Sequence, residues 1–240
     1  MWEYNIVCNP KDRVYLRNIE NNLKSKYPYI ITALSDNVLS VALNYNQKPK
    51  VFEYIKRLLA ETIIFIYKEK LLLNSINLNY LSEEYKTAFI KSLIYFDYEE
   101  DMFEIINQLD FDTGINLDSF YNFRLKKVKQ KWLQLVSICQ NNNVFLESET
   151  FLELLKFLIE SIIPKHKYID VFYNGIGFEI VDENNNIISF NNTGNPEANL
   201  ISGLISLAPK TINLHCAGML SDNTFKIIYY IFNKKVNLLV

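Results

Sequence analysis

The strongest hydrophobic pattern in the chain runs from Asp118 to Pro164. Tyr121, Leu125, Val128, Trp132, Leu135 and Cys139 recur at alternating spacings of four and three, with Val136 widening the stripe. That period predicts one amphipathic helix. Beyond the polar Gln140-Asn141-Asn142-Asn143, a second stripe of Phe151, Leu154, Leu155, Leu158 and Ile162 predicts another helix. Pro164 stops it, because the residue before a proline is driven out of the helical region. Two such stripes need each other and a sheet to be buried.

The flanking segments supply strands. Trp2, Tyr4, Ile6 and Cys8 alternate as one face of a strand, and Leu16, Ile19, Leu23 and Tyr27 mark a helix that Pro28 ends. Tyr29 to Leu34 and Val38 to Leu43 flank Ser35-Asp36-Asn37, a hairpin turn, so the opening is β-α-β-β. A long helix follows from Val51 to Glu69 on the stripe Phe52, Ile55, Leu59, Ile63 and Ile66. Ser82 caps the next, with Tyr85, Phe89 and Phe96 inward, and Glu99 to Leu109 forms a shorter one. Phe111 to Leu117, with Gly114, reads as a connector.

After the central helices, Tyr168 to Tyr173 and Phe178 to Val181 flank Asn174-Gly175, a hairpin signal. Asp182 to Asn186 is a further turn and Ile187 to Phe190 a third strand. Asn195-Pro196-Glu197 opens a helix that Pro209 closes. Thr211 to Cys216, Asp222 to Asn233 and Val236 to Val240 then read as strand, helix and strand, which favours a right-handed parallel crossover. Val236, Leu238 and Val240 are expected to be buried. The predicted architecture is mixed α/β (α+β) and helix-rich: an N-terminal β-α-β-β unit, a central helical layer, and a C-terminal hairpin plus β-α-β unit. No Pro/Gly/Ser-rich linker marks a division, so a boundary between residues 112 and 113 and a single domain both stay open.

Composition narrows the function classes. With 240 residues, 49% apolar and 22% charged, the chain can bury a full core, and a net charge of -2 supplies no global field for nucleic acid or anionic lipid. Cys8, Cys139 and Cys216 lack CxxC spacing and read as buried, reduced thiols. Met1-Trp2-Glu3-Tyr4-Asn5 has no signal-peptide character, and no stretch approaches the roughly 20 apolar residues of a membrane span. A soluble cytoplasmic protein is expected.

The basic run around Arg124, Lys127 and Lys131 is the candidate nucleic-acid surface, since aligned cations on one helix face engage phosphates. The competing reading is the solvated back of a helix whose front is core. His215 next to Cys216 suggests a base and a nucleophile, but neighbours in a strand point to opposite faces. Gly218, in the loop Ala217-Gly218-Met219-Leu220 ahead of a helix, leaves His215 and Gly218 as a candidate ligand site. Asp97, Glu99, Glu100, Asp101 and Glu104 could hold a cation, but they also suit a helix N-terminus. Gly175 and Gly177 sit in a hairpin rather than between strand and helix, which excludes a dinucleotide loop. No catalytic residue, metal site or cofactor is expected, and enzyme is a minority reading.

Three stretches resemble the sporulation protein YtxC family: Phe120-Tyr121-Asn122-Phe123-Arg124-Leu125, the helix Phe151 to Pro164, and Asn199 to Lys210 with Ile212-Asn213-Leu214-His215. The resemblance covers roughly the C-terminal half, from residue 113. It implies a cytoplasmic protein of spore-forming bacteria and carries no activity or catalytic residue with it. With no catalytic constellation, the function expected is a non-enzymatic factor acting through an unidentified protein partner. Nucleic-acid binding at Arg124, Lys127 and Lys131, and small-ligand binding at His215 and Gly218, are the alternatives.

Overall fold

The computed structural model describes residues 1–79, 81–110, 113–141, 149–188 and 194–239. In chain order it runs β1 (Trp2–Val7), α1 (Arg13–Lys26), β2 (Ile31–Ser35), β3 (Val38–Leu43) and α2 (Lys48–Ile63). A π-helical turn (Ile64–Lys68) joins α2 to α3 (Glu69–Ser75), followed by α4 (Glu83–Phe96), α5 (Tyr98–Gln108) and β4 (Gly114–Asn116). Then come α6 (Leu117–Phe123), α7 (Lys126–Asn141), α8 (Glu149–Glu160), β5 (Ile169–Tyr173), β6 (Phe178–Asp182) and β7 (Ile187–Ile188). The chain closes with α9 (Pro196–Leu207), β8 (Ile212–Leu214), α10 (Asp222–Phe232) and β9 (Val236–Leu238). The helix-rich mixed α/β class holds, with two small mixed sheets.

The chain divides into two compact units, Met1–Ser75 with Tyr98–Ile138, and Ile76–Asp97 with Cys139–Val240. The first is built on a sheet of order β2-β3-β1-β4. Antiparallel pairing of Trp2 with Leu43, Tyr4 with Val41 and Ile6 with Leu39 puts all six side chains on the buried face. There Leu16, Ile19 and Leu23 of α1 and Ile55 and Leu59 of α2 join the core. Asp36 turns the β2–β3 hairpin at φ 47°, a conformation that Asp tolerates better than most residues.

Two expectations fail in this unit. Gly114 lies in a strand: β4 pairs parallel with β1, Gly114 opposite Asn5, and three residues are too few to show a period. The predicted continuous helix from Asp118 is also two helices. Arg124 N–H donates to Phe120 O at 2.8 Å and closes α6, while Lys129 N–H donates to Leu125 O at 2.9 Å and opens α7. Tyr121, Leu125, Val128, Trp132 and Val136 are nevertheless buried, so the stripe survives the break.

The second unit holds the sheet β7-β6-β5-β8-β9. β5 and β6 form the expected hairpin, and β5, β8 and β9 are parallel, as the predicted crossover requires. Ile169, Val171, Ile180, Ile212 and Leu214 make the buried face. Asn195 caps α9 by accepting from the Glu197 and Ala198 amides at 3.0 Å, and Ala208 ends it in the left-handed region at φ 42°. α9 is buried on most sides and packs against α4, which also meets α8. Phe96 at the end of α4 is 41% exposed rather than inward. β9 is an edge strand, so Leu238 is 47% exposed where alternation alone suggested burial. Residues 142–143, 189–190 and 240, which carried parts of the predicted turn and strands, lie outside the described residues.

Candidate functional site

The unburied face of the C-terminal sheet gathers the most chemistry in the second unit. Strand register places Ile187, Val181, Asp170, Asn213 and Asn237 in one row across β7, β6, β5, β8 and β9. Glu179 and Phe172 start the next row, and His215 continues it, since its amide donates to Val171 O at 3.0 Å. His215 Nε2 lies 2.8 Å from Asp170 Oδ1, and its ring stacks on Phe172 at 4.3 Å and 17°. The histidine follows a three-residue parallel strand, and Asp170 and Phe172 share a face because they are two apart. A carboxylate fixes the imidazole, and the aromatic ring supports it from one side, so the pair can donate a hydrogen bond or exchange a proton. Both side chains remain partly open, His215 at 30% and Asp170 at 23%.

Cys216 takes no part in that chemistry. It lies on the buried side, where its thiol approaches Val171 O at 3.6 Å and burial pushes its pKa up to about 11. The alternation that separated His215 from Cys216 in the sequence is therefore what the fold shows.

The loop after His215 is a 3-10 turn, Ala217–Met219. A Cβ on Gly218 would meet nothing within 4 Å, so no close approach requires glycine there. The start of α10, expected to attract an external anion, already holds a carboxylate from within the chain. Glu197 Oε1 accepts from the Ser221 amide at 2.6 Å, and its Oε2 accepts from the Ser221 and Thr224 hydroxyls at 2.5 and 2.7 Å. His215 and Gly218 thus lie in the same loop region, but the anion-binding element that follows them, the start of α10, is filled.

In the first unit, Arg124, Lys127 and Lys131 do not share one helix. Arg124 stands in the break between α6 and α7, Lys127 is exposed on α7, and Lys131 is drawn toward α5. Lys131 Nζ bonds Glu100 Oε2 at 2.9 Å and Asp101 Oδ1 at 3.2 Å. Asp101 is fully buried, and its Oδ2 also accepts from Lys68 Nζ and Trp132 Nε1, both at 2.8 Å. The acidic run of α5 therefore divides: Asp101 turns inward to bind cations of the protein, and no group able to hold a metal ion occurs among the described residues.

Lys68 is the residue that pattern reading misplaces. It bounds the apolar stretch Thr62 to Tyr67 in the sequence, yet it is fully buried. The π turn adds a residue to one helical repeat, so the inward positions run Leu59, Ile63, Lys68 and Leu72 instead of continuing from Ile63 through Ile66 alone. The same turn sets Tyr67 to donate to Asp118 Oδ1 at 2.9 Å and to stack on Tyr121 at 4.2 Å. Nearby, Lys70 Nζ holds Asp12 at 2.7 and 2.8 Å.

A family model, the YtxC-like family, matches residues 50–237. No curated protein and no solved structure matches the chain. Among the described residues, no helix is long and apolar enough to cross a membrane.

Proposed function

This chain belongs to the YtxC-like family, and from that premise we propose a sporulation-associated protein of the cytoplasm that works through non-enzymatic contacts with a protein partner. The contact surface is the open face of the C-terminal sheet. One observation carries this reading: that face combines accessible apolar groups, Phe172 at 40%, Ile187 at 64% and Leu239 at 42%, with the oriented polar pair Asp170–His215. Aromatic anchors beside fixed hydrogen-bonding groups are the composition of protein interfaces, whereas isolated exposed side chains need no explanation.

The alternative, nucleic acid at Arg124, Lys127 and Lys131, has less support, because Lys131 is already committed to Glu100 and Asp101. The small-ligand alternative at His215 and Gly218 is weakened by Glu197 at the start of α10.

The test is affinity capture of the tagged chain from sporulating cells, with and without nuclease, for the wild type and for Phe172→Ala with His215→Ala. A protein held in both nuclease arms and lost from the double variant is the expected result. Capture that ignores the double variant overturns the assigned face, and capture abolished by nuclease overturns the protein-contact reading.

A further inference from the structure

At the end of the first unit where β1 begins, the fold collects cations and tyrosines from four separate segments. α1 ends there with Lys24, Lys26 and Tyr27. The loop before β2 adds Tyr29, the turn after β3 adds Tyr45, and α2 starts with Lys48 and Lys50. The groups touch. Lys26 Nζ lies 3.9 Å from the centre of the Tyr54 ring, and Tyr27 sits 5.7 Å from Tyr54 and 5.9 Å from Tyr29. Tyr27 also donates its hydroxyl to Lys50 O at 3.5 Å, and Lys48 Nζ lies 5.7 Å from the Tyr45 ring.

The charge of this end is one-sided. Glu20, Glu53 and Glu61 are its carboxylates, and each is engaged, with Lys24 at 2.8 Å, Lys56 at 3.2 Å and the Tyr98 hydroxyl at 3.2 Å. Glu3 points to the other face of the sheet, since its neighbours Trp2 and Tyr4 both pack on Phe52. Lys26, Lys50 and Arg57 enter no ion pair among the described residues. α2 has no acidic residue in its first turn and no side-chain cap, so Lys48 and Lys50 add to the positive end of its dipole. A chain of net charge -2 has thus concentrated positive potential on one end of one unit.

We propose that this end binds single-stranded nucleic acid, with Lys26, Lys50 and Arg57 on phosphates and the rings of Tyr29 and Tyr45 as stacking platforms for bases. Tyr29 is 49% and Tyr45 62% exposed, so their ring surfaces are available. Flat rings interleaved with unpaired cations are what a strand with accessible bases requires. A rigid duplex hides its bases, and an anionic membrane surface calls for the inserted Trp, Phe and Leu of an amphipathic helix, whereas Trp2 is buried here.

The experiment is fluorescence anisotropy of the full chain with labelled oligo(U) and oligo(dT) across a salt series, alongside sedimentation with phosphatidylserine vesicles. Binding at about 50 mM salt that weakens linearly on a log–log plot is expected. Lys26→Gln with Lys50→Gln should weaken it at least about tenfold and make the salt slope shallower by about 1.4, from about 0.7 per phosphate contact on a single strand. Tyr29→Ala with Tyr45→Ala should weaken it at least about thirtyfold with the slope unchanged. A preference between the two oligomers assigns RNA or DNA as the source. All four residues are on the surface, and an unchanged circular dichroism melt confirms the fold of each variant. No binding to either oligomer, equal affinity in the lysine pair, or loss only in Lys127→Gln with Lys131→Gln overturns the proposal. Vesicle binding without oligomer binding overturns it in favour of a membrane.

Discussion

Asp101→Asn is expected to be the most damaging single polar substitution in the first unit. Asp101 is fully buried and gathers Lys68, Trp132 and Lys131, and Lys68 is fully buried as well. Asparagine keeps the shape and one acceptor but removes the charge opposite a buried ammonium group. Removing one partner of a buried ion pair costs about 3–5 kcal/mol. Lys68→Met should cost less, about 1–3 kcal/mol, because Asp101 retains Lys131 and the Trp132 donor. Since the residues are in contact, the double variant should be less damaged than the sum, by about 0.5–3 kcal/mol. Both tryptophans, Trp2 and Trp132, belong to the first unit, so their fluorescence in a urea titration reports on that unit. With a urea dependence of about 1–3 kcal/mol/M, Asp101→Asn should lower the midpoint by about 2 M. A midpoint within about 0.3 M of the wild type, or strictly additive single effects, would refute a buried charge network at this position.

Two further outcomes follow from local geometry. Gly114→Ala places a Cβ 2.5 Å from Asn5 O at a backbone φ of 152°, and should destabilise the first unit by about 1–3 kcal/mol. Amide exchange at Asn5, whose N–H donates to Thr113 O at 3.3 Å, should quicken, and unchanged exchange would show that β4 is not docked on β1 as described. Burial pushes the thiols of Cys8 and Cys216 up to about 11, so at pH 8 only about one thiolate in a thousand is present. Because the protonated form is the favoured one, alkylation of the native chain should rise as pH approaches 11 and reach ordinary rates at pH 8 only on unfolding. Rapid labelling of the native protein at pH 8 would contradict that burial.

Much of the fold was legible in the sequence because its elements are long enough to show a period or are bounded by strong punctuation. The Asn174-Gly175 hairpin, the Asn195-Pro196-Glu197 cap and the β8-α10-β9 crossover each rest on such local signals. The exceptions share one cause, a decision taken by tertiary packing. β4 is a strand because β1 offers it a register, and Leu238 is exposed because β9 lies at the sheet edge. The helix break at Arg124 leaves Leu125 buried, so a hydrophobic stripe cannot reveal it. The π turn is the most consequential case. It moves Lys68 inward, and no sequence pattern distinguishes a five-residue step from a four-residue one when the neighbours are Ile64, Phe65, Ile66 and Tyr67.

The candidate sites were harder to read for the same reason. His215 was visible in the sequence, but its partner Asp170 is joined to it only by the parallel register of β5 and β8. A basic run was equally visible at Arg124, Lys127 and Lys131, yet a cation is available to a ligand only if the fold leaves it without a nearer carboxylate. α5 supplies Glu100 and Asp101 to Lys131, whereas Lys26 and Lys50, far apart in sequence and in no recognisable run, are brought to one end of the sheet, Lys26 over the Tyr54 ring and Lys50 through its carbonyl bonded to Tyr27. Net charge and charge runs therefore both mislead here. The quantity that matters is the charge left over at a surface after the fold has formed its ion pairs: Glu100 and Asp101 take Lys131 out of that remainder on α7, whereas Lys26 and Lys50 stay in it at the start of β1.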